Sequence, residues 1–271
     1  MASPTDLPVW RALASEAGVA SDQIGEGATL LSKLTPSYSW TFARAFFPLS
    51  IGIERACKLA LQVDAKLASG NFMSAKQMRT HGHKLDGLVA AVDAMNQRRG
   101  FDHSRPNDSI HNAILAVLTE FATNGRYHHL DNLAGRVGGI DPSKLWWETV
   151  VVPILDVHYN PTRKAGDEAM ARGLGAEIDK ASVVQYGHVD GSAVSSMTDA
   201  LRDGAMMINA TPWIRVYTLQ IARWLARTMN CLSQESHKQG DEEVPELHEF
   251  FRTFDVDVSY MKTRKTWRPL S

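Results

Sequence analysis

Cysteine is nearly absent: two residues, Cys57 and Cys231, among 271. They lie in separate apolar helical patterns, with no CxxC spacing, which excludes a disulfide framework, a zinc ribbon and a dithiol redox motif. A reducing compartment fits this usage. Charge of one sign is missing too, since 29 basic and 30 acidic side chains leave a net charge of −1. No global field draws the chain to nucleic acid or to an anionic membrane, so any such partner must be met by a local patch. Long apolar runs are absent as well. The stretches Ala45 to Leu61 and Trp146 to Leu155 are broken by Glu54, Arg55 and Lys58 or are too short to span a bilayer. Met1 to Leu7, carrying Pro4 and Asp6, lacks the basic and apolar regions of a secretory signal. A cytoplasmic protein with no membrane partner is the expectation. There is no internal repeat, no low-complexity tract, no P-loop, no Gly-x-Gly-x-x-Gly after a strand and no Gly-x-Ser-x-Gly elbow. P-loop nucleotide hydrolysis, Rossmann redox chemistry and α/β-hydrolase chemistry are thereby disfavoured.

What is present is helical periodicity. With 44% hydrophobic and 22% charged residues the chain can bury an ample core without metal or disulfide. Residues 1–37 read as a lead-in, with a short helix from Pro8 to Ala17, a glycine stretch at Gly25 to Gly27 and a break at Pro36. Pro48 marks a kink or the first turn of a helix running from Leu49 to Ala68, whose apolar stripe is interrupted by Asp64. Leu85, Leu88, Val89, Val92 and Met95 form a second stripe. Ile110, Ile114, Val117, Leu118 and Phe121 form a third, capped by Asp108 or Ser109 and closed by a left-handed Gly125. His111 falls in the first turn of that helix.

Asp141 and Pro142 open a helix that Asn160 and Pro161 end. A short strand pair is expected within Ser182 to Val194. Thr211 and Pro212 start a long helix to about Ser236, with Ile214, Ile221, Trp224, Leu225, Thr228 and Leu232 inward. A short helix, Pro245 to Thr253, precedes a basic tail at 261–271 containing Lys262, Arg264, Lys265, Trp267 and Arg268. The fold class is all-α: a bundle over 38–160 with additional C-terminal helices over 161–260.

Two groups of residues carry candidate chemistry. Glu54 and Lys58 sit four apart on one helix, acid first, the favourable order for an ion pair; alone this is most simply a solvated face. Read with GHKLDGL at Gly82 to Leu88, including His83, and with NGRYHHLD at Asn124 to Asp131, the segment from Phe42 to Asp131 resembles the HEPN superfamily. That resemblance implies an antiparallel helical bundle, often a homodimer, whose active members cleave RNA without a metal. Their signature is an Arg and a His four to six residues apart. The His assists proton transfer at the ribose 2′-hydroxyl and the Arg stabilises charge on the phosphate.

The resemblance places a catalytic group at Arg126, His128 and His129, with Glu54, Lys58, His83 and Tyr127 binding substrate, Tyr127 by stacking on a base. The plain alternative is a surface turn in which Arg126 meets helix-terminal carbonyls. Arg126 to His129 has only two intervening residues, and Arg79 to His83 three. Arg98 to His103 has four and Arg105 to His111 five, but both lie in a stretch that Gly100 and Pro106 mark as loop. His81, His83, His128, His129 and Asp131 are closely spaced without an H-E-x-x-H or Cys-His motif, so no metal and no cofactor are expected. Arg215, Arg223 and Arg227 fall on one side of the long helix, facing a phosphate backbone, solvent, or acids such as Asp199, Asp203 and Glu235. Trp267 among cations either stacks on a single strand or belongs to a soluble tail, the simpler reading. The expected activity is RNA binding or metal-independent RNA cleavage. The competing reading is a catalytically silent module that oligomerises or binds a protein partner through the Glu54 and Lys58 helix and the aromatic surface of Trp146 and Trp147.

Overall fold

A computed structural model describes residues 4–135 and 139–267. Leu13, Ala17, Ala20, Ile24, Ala28 and Leu31 recur at helical spacing, and all are buried. They belong to α1 (Pro8–Leu30), which starts with proline in its first turn, and the 3-10 turn that follows it. The helix expected to stop at Ala17 therefore runs through the glycine stretch, and the reason lies in its neighbour. A Cβ on Gly27 would collide with Leu49 of α2 (Ser39–Ser69), and one on Gly52 would come within 2.7 Å of the Ile24 nitrogen and 2.9 Å of the Ala20 oxygen. Glycine here serves close backbone approach rather than a turn. Glu16 meets Arg55 at 2.7 Å, Ile24 lies against Gly52 and Gly27 against Leu49, so one helix ascends as the other descends. Gly52→Ala should gain helix propensity yet lose about 1–3 kcal/mol of stability by overpacking this contact. Urea unfolding checks it, and an unchanged midpoint would remove the close-approach argument.

Pro48 lies within α2, not at its start, and Gly70, with φ 77°, closes the helix through a bond to the Lys66 carbonyl. After α3 (Ala75–Thr80), the expected stripes appear as α4 (Leu85–Arg99) and α5 (Ser109–Thr123), whose faces are buried. Asp108 caps α5 by accepting from the Ile110 and His111 amides. Gly125 is not the left-handed cap. The chain leaves α5 at Asn124 and enters a 3-10 turn, with Gly125 buried because a Cβ would strike Pro142.

α6 (His128–Leu133) follows, and then Asp141 caps α7 (Pro142–Trp146) as expected. α7 passes through a π-helical turn, Trp147–Val151, into α8 (Val152–His158). Trp146 and Trp147 are buried, the first against Phe46 at 4.9 Å and the second against His188 at 4.5 Å, so they form core and not the expected aromatic surface. Asn160 caps α9 (Pro161–Asp179), and the strand pair is β1 (Tyr186–Gly187) against β2 (Ala193–Val194), antiparallel.

The long helix, α10 (Met197–Gln239), begins fourteen residues earlier than Thr211 and takes Pro212 into its interior. All six side chains expected inward are buried. Its arginines do other work than anticipated. Arg215 is buried and donates to the Met261 and Lys262 carbonyls and to Ser32; Arg223 donates to the Val256 carbonyl, and Arg227 pairs with Asp255 at 2.9 Å. After α11 (Leu247–Phe251), they fasten the turn at Asp255 and Val256 and α12 (Val258–Thr263) onto α10. Trp267 is fully buried, its amide donating to Thr29 and its indole to the Arg264 carbonyl, so it is not a free stacking residue. Arg268 lies outside the described residues.

One cluster of buried apolar side chains runs from Leu13 to Trp267. Among the described residues no helix is long and apolar enough to cross a membrane.

Candidate functional site

The residues expected to act together lie in two places. Glu54 on α2 accepts from Lys58 at 2.8 Å and meets His83 Nδ1 at 2.8 Å. Burial pushes the Glu54 carboxyl up, but the hydrogen bonds and charges of Lys58 and His83 outweigh it and hold the carboxyl below its ordinary range. The triad is closed on itself, with Lys58 and His83 both turned to the one acid.

The Arg126 turn sits elsewhere. His129 Nε2 lies 3.3 Å from Ser39 Oγ, at the start of α2. Ser39 and Glu54 are separated by roughly 22 Å of helix rise, so within one chain the two groups do not share a cleft. His128 meets Asn132 at 3.0 Å, Tyr127 is exposed, and Arg126 Nε is buried without a hydrogen-bond partner among the described residues. The cavity there measures about 50 Å³, well below the roughly 300–1,000 Å³ of small-ligand sites.

A larger concavity lies between the loop joining α4 to α5 and the flank of α10. One lobe, about 350 Å³, is lined by His103, His111, Gln220, Arg223, Trp224 and Arg227. A second lobe, about 440 Å³, holds Asp93, Asn96, Gln97, Phe101, Arg105 and Asn107. Both include Asp102, His103 and Ser104, which form the wall between them. The volumes fall within the roughly 300–1,000 Å³ of small-ligand sites.

Local structure explains why this loop presents its side chains. Gly100, with φ 69°, ends α4, and the Phe101 amide returns to the Asn96 carbonyl. His103 Nε2 is then held 3.1 Å from Thr228 Oγ1 and 3.4 Å from Asn96 Nδ2, while Asn96 donates to Thr228 at 2.8 Å. Asp108, besides capping α5, lies 2.8 Å from His111 Nδ1. His111 Nε2 lies 2.7 Å from Gln220 Oε1. Gln220, Arg223, Trp224 and Arg227 fall at i, i+3, i+4 and i+7 on one face of α10.

The electrostatics suit an anion. Burial lowers the pKa of His103 below the ordinary 6.5; Asp102 and Asp255 oppose the shift and Arg227 adds to it. Burial likewise lowers His111, against the pull of Asp108 and Gln220. Arg223 is lowered by burial and by the like charge of Arg227, a repulsion that an arriving anion relieves. Two histidines beside two arginines make a set suited to proton transfer on a phosphate ester.

The Arg98 to His103 and Arg105 to His111 spacings were legible in the sequence, but the loop reading set them aside. Arg98 itself pairs with Asp64 at 2.6 Å, whereas Arg105 lines the second lobe and donates to Asn107 and Asn112. Among the described residues no group of three or more His, Cys, Asp or Glu side chains is placed to hold a metal ion. No family model, curated protein or solved structure matches the chain.

Proposed function

We propose that the chain binds single-stranded RNA in the α4–α5 loop concavity and cleaves it without a metal. The observation that carries this reading is the convergence of His103, His111, Arg223 and Arg227 on one lobe. The Arg105 and His111 spacing, which meets the Arg and His signature of the HEPN superfamily, supports it, as does the resemblance over Phe42 to Asp131. In this chemistry neutral His103 takes the proton of a ribose 2′-hydroxyl as its oxygen attacks the adjacent phosphorus. The P–O5′ bond breaks, and His111, protonated, gives its proton to the departing 5′-oxygen. The products are a 2′,3′-cyclic phosphate and a 5′-hydroxyl. Arg223 and Arg227 stabilise the charge that gathers on the phosphate oxygens. Asp108 fixes the His111 ring and favours its charged form.

The test is an end-labelled single-stranded RNA incubated in EDTA with the wild-type chain, with His103→Ala, and with Arg126→Ala and His129→Ala. Cleavage should persist in wild type and in the Arg126 and His129 variants and fall sharply in His103→Ala. No cleavage by wild type ends the nuclease reading, and loss confined to the Arg126 and His129 variants returns the site to that turn.

A second reading, a homodimer or protein-binding module without catalysis, has its own observation. Tyr38, Trp40, Phe47, Tyr127, Leu130 and Leu133 are exposed around the Ser39 and His129 contact, the composition expected of an interface. Sizing chromatography with light scattering should give a dimer that Trp40→Glu or Leu133→Glu converts to monomer; a monomeric wild type removes the self-association part of this reading.

A further inference from the structure

We infer that the second lobe is a guanine-reading subsite, so that the concavity takes a nucleoside 3′-phosphate with its base in one lobe and its phosphate in the other. The inference rests on the RNA reading above and adds to it the identity of the nucleotide on the 5′ side of the broken bond.

The two lobes differ in chemistry. Beyond the shared Asp102, His103 and Ser104, the first carries the arginines Arg223 and Arg227, suited to a phosphate; the second carries the Asp93 carboxylate, three amide side chains, the Phe101 ring and Arg105, suited to a base. Phe101 supplies a π-face, and its ring lies nearly parallel to that of His103, at 17° with centroids 6.0 Å apart. His103 belongs to the wall common to both lobes. A nucleotide laid across that wall puts its ribose, and hence its 2′-hydroxyl, beside His103.

The base follows from donor and acceptor counting. The Asp93 carboxylate accepts a hydrogen bond from Gln97 at 3.3 Å and, among the described residues, no other from a side chain. Guanine presents two adjacent donors, N1–H and the 2-amino group, which one carboxylate can accept together. Adenine and cytosine each present a single exocyclic donor beside an acceptor, and uracil a single ring donor between two carbonyls. The guanine O6 and N7 acceptors then suit the amides of Gln97 and Asn107 and the guanidinium of Arg105. Asp102 lines both lobes and opposes binding of a phosphate, and two further carboxylates stand beside that lobe, Asp255 against Arg227 and Asp108 against His111.

The experiment titrates the full chain by calorimetry with inorganic phosphate and with the four nucleoside 3′-monophosphates. Guanosine 3′-monophosphate should bind about tenfold or more tightly than the other three. Asp93→Asn should erase that preference while leaving phosphate affinity unchanged, and Arg223→Ala should weaken phosphate and all four nucleotides alike. Asp102→Asn should tighten all of them. Equal affinity for the four nucleotides, preference for another base, or a guanine preference that survives Asp93→Asn overturns the base subsite while the phosphate lobe stands. Failure of phosphate and every nucleotide to bind overturns both readings. Circular dichroism of Asp93→Asn and Arg223→Ala must match wild type; Gln97→Ala, on the exposed side of α4, provides a second test of base preference should Asp93→Asn not fold.

Discussion

Arg99→Ala should lower the stability of the chain by about 3–5 kcal/mol, the range for removing one partner of a buried ion pair. Asp64 interrupts the apolar stripe of α2 and is nearly buried, as is Arg99; their side chains are 12% and 13% exposed. Arg99 Nε donates to Asp64 Oδ1 at 2.6 Å, a terminal nitrogen donates to the Asp64 carbonyl at 3.0 Å, and the other pairs with Glu235 on α10. One guanidinium thus joins α2, α4 and α10. Removing it leaves two carboxylates with little water and a single outer cation, Arg98. Against a typical total of roughly 5–15 kcal/mol, that is about a fifth of the whole or more. Arg98→Ala is the control: its side chain is 62% exposed, so its pair with Asp64 should contribute only about 0–1 kcal/mol. The double variant Asp64→Leu with Arg99→Met should recover part of the loss, because it removes the more deeply buried of the two stranded carboxylates and leaves only Glu235 without its partner. Urea unfolding measures all three. An Arg99→Ala midpoint indistinguishable from that of Arg98→Ala would mean that the junction is held by apolar packing alone.

The same residues show what a sequence discloses. Caps and starts were legible because they depend on near neighbours: Asp108 for α5 and Asp141 with Pro142 for α7; Asn160, read as a helix end, also caps α9. Apolar stripes were legible for the same reason. Pro212 misled as a helix start, and of the two readings of Pro48 the first turn falls away, since proline removes one amide donor but does not prevent a helix whose flanks are pinned by packing on both sides. Gly25 and Gly27 misled because a glycine inside a helix and a glycine in a turn look alike until the facing helix is known. The arginines of α10 were placed on one side by spacing, yet spacing carries no information about what faces that side. The C-terminal segment does, and it is brought there by contacts tens of residues away in sequence. The candidate site follows this pattern. Arg105 and His111 had the right separation, but only the return of the loop onto Asn96, Thr228 and Gln220 turns that separation into a lobe. The Arg126 turn had the right residue types, and it stands beside a cavity of about 50 Å³.

His103→Ala should reduce metal-independent RNA cleavage by about 10²- to 10⁴-fold, the range for losing a general base, with little change in folding because the His103 ring is only half-buried. The pH dependence gives a sharper test than the rate alone. His103 acts when neutral, so activity rises with pH through its pKa. His111 acts when protonated, so activity falls with pH through its own. Burial lowers both below 6.5, and the bell of activity must therefore lie on the acidic side of that value. Arg227 lowers His103 and Asp255 raises it; Arg227→Gln removes the cation and leaves the carboxylate unpaired. The acidic limb should then move to higher pH even as the maximal rate drops. Asp108→Asn should do the reverse to the other limb, since Asp108 holds His111 up, and the alkaline limb should move to lower pH. A profile that peaks above neutrality, or limbs that stay fixed in both variants, would separate these histidines from the proton transfers. A merely structural role predicts lower rates with an unaltered profile.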